Sequence, residues 1–248
     1  MNAKFESRNW ILAKLNELER NAIISCMELF DIDTREPLYE PDRPMQNAYF
    51  PESGIMSIVT LVRDGPSVEA ATVGYEGMVG IPLVLGSETT TTRAFCQIPG
   101  RIWRISASDL SKHMRRSPTL STCLFQYAQT LFDLLAQSTA CNRLHSIEER
   151  CARWLLLTHD RMDSDTYQLT QESLATMLGV RRAGVSLVAQ TLQSAGLIEY
   201  RHGKVTIKDR VNLERVSCEC YSVVRRAYDK LNSTSPGGSK VFDANNSF

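Results

Sequence analysis

No stretch of this 248-residue chain approaches the roughly 18 consecutive apolar residues that a membrane-spanning helix needs. Residues 1–10, MNAKFESRNW, lack the apolar core of a secretion signal, so a cytoplasmic protein is expected. An excess of one charge is missing too: Lys+Arg and Asp+Glu are both 28. Without a global positive field to find an acidic polymer, any basic surface must be local. Between Arg143 and Arg215 the basic residues outnumber the acidic ones by only two, so modest nonspecific affinity for nucleic acid is expected. Seven cysteines, Cys26, Cys96, Cys123, Cys141, Cys151, Cys218 and Cys220, are odd in number and scattered, which argues against a disulfide framework and for small core residues. Histidine is scarce, with 4 in the chain. None falls between residues 31 and 105, where the carboxylates Glu52, Asp64, Glu69, Glu76 and Glu88 show no motif spacing. His113, His145 and His159 lack partners at ligand or triad spacing and read as surface or helix-end residues. No catalytic constellation emerges, and an enzyme is the least favoured class.

What is present is ordinary folded protein, 43% hydrophobic and 23% charged, long enough for two domains. Its most informative part is residues 169–198, LTQESLATMLGVRRAGVSLVAQTLQSAGLI. Leu174, Ala175 and Leu178 recur at helical spacing, and Gly179 supplies the permissive backbone of a sharp turn. Val185, Val188, Ala189 and Leu192 then repeat at i, i+3, i+4 and i+7, which buries one stripe of a second helix and frees the opposite face for a DNA groove. Arg181 and Arg182 stand at its front, where guanidinium groups meet phosphates or pair with guanine. Residues 197–207 read as a hairpin with His202-Gly203-Lys204 at its tip, a wing that carries Arg201 and Lys204 toward the DNA backbone.

Upstream, residues 10–29 are apolar at helical spacing and read as a leading helix or helix pair. From residue 31 to about 105 short β-rich runs (55–61, 68–73, 94–98, 102–105) alternate with turns at 41–43, 63–66 and 98–100, the pattern of an antiparallel sandwich or roll. Ser106 starts a helix, and Pro118 opens the longest one, to about Leu144. In it Leu120, Leu124, Tyr127, Leu131, Leu134, Ser138, Cys141 and His145 follow steps of four and three, the seam of a coiled coil. Dimerisation through this seam is expected, the alternative being that the stripe packs on the roll. A helix over residues 148–161 leads to the winged head. After it an amphipathic helix, residues 212–231, reads as an appendage with a disordered tail. The fold class expected is α+β: residues 1–117 form helices and a sensor β-roll, 118–145 the dimer helix, 146–212 a winged helix-turn-helix, and 213–248 the C-terminal helix and tail.

Roll, long helix and winged helix in this order resemble the Crp/Fnr family of bacterial transcription regulators over about residues 10–210. The sharpest matches are LTQESLATMLGV with Arg182, GLIEYRHGKVTIKD in the wing, and EERCARWLLLTHDR after the long helix. The resemblance implies a homodimer that reads near-palindromic double-stranded DNA, with RNA polymerase as a further partner. Thr170 matches a phosphate-contacting position and Arg182 a base-reading one. The family's Ser-Arg-Glu run is replaced by Arg181-Arg182-Ala183, and its second base-reading Arg by Leu187. Leu187 suits a thymine methyl, and Ser186 and Gln190 suit base edges, so a different target sequence is expected. In cyclic-nucleotide binders a Gly-Glu pair holds the ribose and an Arg-Ser pair the phosphate. Here Gly77 is followed by Met78, and the Arg-Ser position falls at Thr90-Thr91 with Arg93 displaced, so cyclic AMP is not expected. Two readings stay open: a roll with another effector, held by Gly77, Met78, Thr90, Thr91 and Arg93, or a roll without one. Cys26 alone does not supply the thiolates of an iron-sulfur cluster. Cys218 and Cys220, spaced by one on a helix, point to different faces and are read as structural thiols, not as metal ligands with His202, so no metal or cofactor is expected. An alternative function is a ligand-binding module that controls a protein partner through the winged helix.

Overall fold

The computed structural model describes residues 7–62 and 67–233. The turn expected at residues 63–66, with Asp64, and the tail from residue 234 onward lie outside the described residues. Short helix α1 (Trp10–Ala13) is capped by Asn9, whose Oδ1 accepts from the Ile11 and Leu12 amides. The same buried side chain donates to the carbonyls of Pro51 and Gly77, pinning the helix to the roll. Helix α2 (Glu17–Ile24) follows, and the chain then becomes strand β1 (Met27–Ile32) instead of staying helical to residue 29. The reason is tertiary: β1 pairs with an edge of the roll from Met27 opposite Ile105 to Ile32 opposite Gly100.

The roll continues with β2 (Pro37–Tyr39), β3 (Asn47–Pro51), β4 (Ile55–Thr60), β5 (Val68–Val73), the single turn α3 (Ile81–Val84), β6 (Thr92–Ile98) and β7 (Gly100–Ser106). Two antiparallel sheets, ordered β1-β7-β3 and β2-β6-β4-β5, enclose a core that includes Phe50, Met56, Met78, Ile102 and Ile105. Helix α4 (Ala107–Arg116) is capped by Ser106, which accepts from the Asp109 amide, and α5 (Pro118–Leu144) by Ser117 with proline in its first turn. Then come α6 (Ile147–His159), with a capping box between Ser146 and Glu149, β8 (Thr166–Gln168), α7 (Gln171–Leu178), α8 (Arg182–Ser194), β9 (Ile198–Arg201), β10 (Lys204–Ile207), α9 (Arg210–Val216) and α10 (Cys220–Ser233). The wing is a three-stranded sheet, β8-β10-β9, one strand more than the expected hairpin. No helix among the described residues is long and apolar enough to cross a membrane.

The seam expected on α5 faces inward. Leu120, Leu124, Tyr127 and Leu131 are buried in the core of the roll, and Leu134 is buried between β5, α6 and α10. Their spacing identified a buried stripe correctly, but spacing carries no information about which body covers it. The stripe left exposed is a neighbouring one: Phe125, Phe132 and Leu135 face outward.

The helix expected over residues 212–231 is broken at residues 217–219 into α9 and α10, and it is no appendage. Helix α10 packs on α5 and α6, Leu231 enters the roll core, and Lys14 Nζ donates to the Leu231 carbonyl. Because Cys218 precedes α10, its thiol is not forced to a face opposite Cys220. Both approach Cys141 and His145, not His202.

Candidate nucleic-acid interface

Helix α7 starts at Thr170, whose hydroxyl accepts from the Ser173 amide at 3.0 Å, and stops at Gly179, where φ is +63°. That left-handed conformation, costly for any residue with a Cβ, lets the Val180 amide donate to the Ala175 carbonyl and swings the chain into α8. Val185, Val188, Ala189 and Leu192 are buried. On the other side Arg181, Arg182, Ser186, Leu187 and Gln190 are exposed, Leu187 to 64%. Leu187 is thus a large apolar side chain left to solvent on an otherwise polar face.

The wing's two-residue turn, His202-Gly203, has φ of +51° and +71°, the primed geometry that matches strand twist. The Leu169 amide donates to the Gly203 carbonyl at 2.8 Å and the Tyr200 hydroxyl to the Leu169 carbonyl at 2.9 Å, which ties the wing to the start of α7. Thr170, Gln171, Arg182 and His202 thereby surround one surface depression. Arg182 Nε donates to Gln171 Oε1 at 3.0 Å, a bond that orients the guanidinium. Sequence reading did not single out Gln171, since nothing local marks a first-turn glutamine as a neighbour of a residue eleven positions on. Arg201 and Lys204 sit directly opposite each other across the hairpin, both exposed. Like charges in that register repel, and an anion between them relieves the repulsion.

The five residues expected to hold an effector do not share a cavity. Met78 is fully buried in the roll core. At Gly77 the Tyr127 ring lies so close that an added Cβ would stand 2.0 Å from it. Thr90 bonds Thr92 through their hydroxyls at 3.0 Å, and Thr91 is exposed. Arg93 Nε lies 3.1 Å from Glu40 Oε1, and the side chain borders a cleft between the outer sheet face and α7.

The charged group on the loop at residues 74–80, between β5 and α3, is Glu76, and its partner comes from the chain itself. Arg161, just after α6, meets it with two bonds, Nη2 to Oε1 at 2.8 Å and Nε to Oε2 at 3.0 Å. The Gly74 amide donates to Glu76 Oε1, and Arg161 also reaches Thr72, the Leu157 carbonyl and the hydroxyl of Tyr228 on α10. Burial alone would lower the Arg161 pKa; Glu76 overrides it and holds the guanidinium protonated. Beside it, burial pushes the Glu69 carboxyl up to about 7, although the Ser57 hydroxyl and Trp154 Nε1 both donate to it. Trp154 lies on α6, so roll and winged head are joined through buried polar groups.

Residues 149–216 match the family model of the Crp-like helix-turn-helix domain. No curated protein matches the chain in sequence. Among solved structures the chain is similar to FixK2 from Bradyrhizobium japonicum, at 17% identity over 77% of this chain and 98% of that one, with a TM-score of 0.68. A protein from Eubacterium rectale described as a transcriptional regulator of the Crp/Fnr family gives 18%, 82%, 94% and 0.65 in the same order. The c-di-GMP-responsive global regulator CLP from Xanthomonas campestris gives 19%, 77%, 99% and 0.59. At this identity the likeness is one of fold. The chain thus has the fold of the Crp/Fnr transcriptional regulators, and its residues 149–216 are a Crp-like helix-turn-helix domain.

Proposed function

We propose that the chain is a homodimeric, sequence-specific transcription regulator that needs no cyclic nucleotide to read DNA. The observation that carries this reading is the exposed face of α8 beside the cationic wing. Arg182 reads a base edge from the front of α8, with Ser186, Leu187 and Gln190 following in the major groove. Thr170, Arg181, Arg201 and Lys204 hold phosphates, which fix the register without carrying sequence.

Two copies associate through α5. Phe125, Ala128, Phe132, Leu135 and Thr139 repeat at steps of three and four, and Phe125 and Phe132 are 52% and 67% exposed. Phenylalanines so exposed two turns apart on one helix face favour burial against a second copy. The pairing sets two reading heads on a near-palindromic site, with half-sites about 34 Å apart. Phe132→Glu leaves the chain folded, since the side chain packs on no core. It converts the dimer to monomer in sedimentation and weakens binding to a two-fold site by about 100-fold or more, because the second head is no longer tethered. A variant that still sediments as a dimer with unchanged affinity refutes the α5 interface.

A further inference from the structure

Four potential ligand side chains outside the reading head converge at the far end of α5. Cys141 lies in the last turn of α5, and His145, the residue that caps the helix, donates its amide to the Cys141 carbonyl, which keeps the two within one turn of each other. Cys218 lies in the break between α9 and α10 and Cys220 opens α10, 77 and 75 residues away from the groups they approach. The four ligand atoms all lie within 4.8 Å of one another. Cys141 Sγ is 3.5 Å from Cys218 Sγ, and Cys220 Sγ is 3.6 Å from His145 Nδ1. A tetrahedral zinc ion with Zn–S about 2.3 Å and Zn–N about 2.0 Å sets sulfur atoms about 3.8 Å apart and sulfur about 3.5 Å from nitrogen.

We propose that Cys141, His145, Cys218 and Cys220 form a structural zinc site of the Cys3His type, which clasps the end of α5 to the start of α10.

The surroundings are those of a metal site. The three cysteines are buried, and a half-buried imidazole among them has no apolar role. With Nδ1 turned to the cluster, the other ring nitrogen, Nε2, lies 3.2 Å from Glu219 Oε2. That carboxylate behind the histidine fixes its tautomer and ring orientation. Gln137 Nε2 points at Cys220 Sγ from 3.0 Å, as an amide donor to a thiolate does. Binding converts three thiols to thiolates and releases three protons to solvent, leaving one net negative charge on the centre. Arg150 and Arg153 lie within electrostatic reach of Cys141 and offset it. A disulfide accounts for less of this: it joins two sulfurs at about 2.05 Å and leaves a third thiol and an imidazole without purpose. The site is independent of the DNA-reading proposal, since none of its residues lies on α8 or the wing.

The test uses the full chain, purified in reducing buffer without chelator and analysed for zinc, iron and acid-labile sulfide. The expected result is about one zinc per chain and no sulfide. Cys26→Ser, outside the cluster, keeps the metal, and Cys218→Ser with Cys220→Ser loses it. Glu219→Gln keeps the four ligands but weakens zinc retention against a competing chelator by about 10- to 100-fold. Should the double variant fail to fold, the wild-type chain loaded with Co2+ gives the thiolate charge-transfer and tetrahedral absorption bands of a Cys3His centre. Iron with sulfide overturns the zinc assignment. A metal-free chain that takes up neither Zn2+ nor Co2+, or a Cys141–Cys218 disulfide in reducing buffer, overturns the site itself.

Discussion

Helix α8 and the loop at residues 74–80 each carry groups suited to meeting a ligand, and they end in opposite conditions. On α8 the buried stripe satisfies packing, while Arg182, Ser186, Leu187 and Gln190 are left to solvent, with the Arg182 guanidinium bonded to Gln171. On the loop every such group is already met from within: Gly77 by the Tyr127 ring, Met78 by the core, and Glu76 by Arg161 and the Gly74 amide. Opening the loop to admit a ligand would separate a buried ion pair, whose loss of one partner leaves an uncompensated charge in a low-dielectric interior. On the proposed reading, function resides where polar and charged groups stand uncommitted, and the roll serves as the platform that aims the head.

The largest test of this contrast is at Arg161. Arg161→Ala strands Glu76 in the interior and lowers stability by about 3–5 kcal/mol, read as a fall in denaturation midpoint. Combining it with Glu76→Gln restores much of the loss; a single variant as stable as the parent would mean that the loop is open. Glu69 comes next. Its folded pKa of about 7 stands above the ordinary value of 4.5, so the group's stabilising share is complete below about pH 4.5 and is lost as pH rises through 7. Glu69→Gln removes that slope and is more stable than the parent by about 3 kcal/mol at pH 8, with little difference at pH 4.5. Parallel stability curves for the two proteins contradict the buried, raised carboxyl. The smallest effect is at the wing: Lys204→Ala weakens binding about equally to all DNA sequences and reduces the salt slope of binding by about one ion. A change in the preferred sequence instead would move Lys204 from phosphate to base.

The contrast also explains what was legible in the sequence. Strands β4 to β7 and the pair α7–α8 follow from local alternation, helical stripes and the turn at Gly179. Strand β1 did not, because its apolar residues fit a helix until β7 supplies the hydrogen bonds. The stripe on α5 was visible, yet its cover was not: Tyr127 meets Gly77, 50 residues upstream, and only the fold brings them together. Glu76 and Arg161, 85 residues apart, and Cys141 and Cys218, 77 apart, carry no mutual signal in a single sequence. The reading head was readable because its surface lies on consecutive elements; the satisfied groups of the roll were not, because their partners are distant in the chain.

The measurement that bears most directly on the account is selection of bound fragments from a random duplex pool by the purified protein, without added ligand, for the parent and for Arg182→Ala. The account predicts a two-fold symmetric motif for the parent. With Arg182→Ala it predicts relaxed preference at one base pair in each half-site, at a cost of about 1–3 kcal/mol. Enrichment of no motif at low salt, or of the same motif at the same affinity with Arg182→Ala, would contradict it.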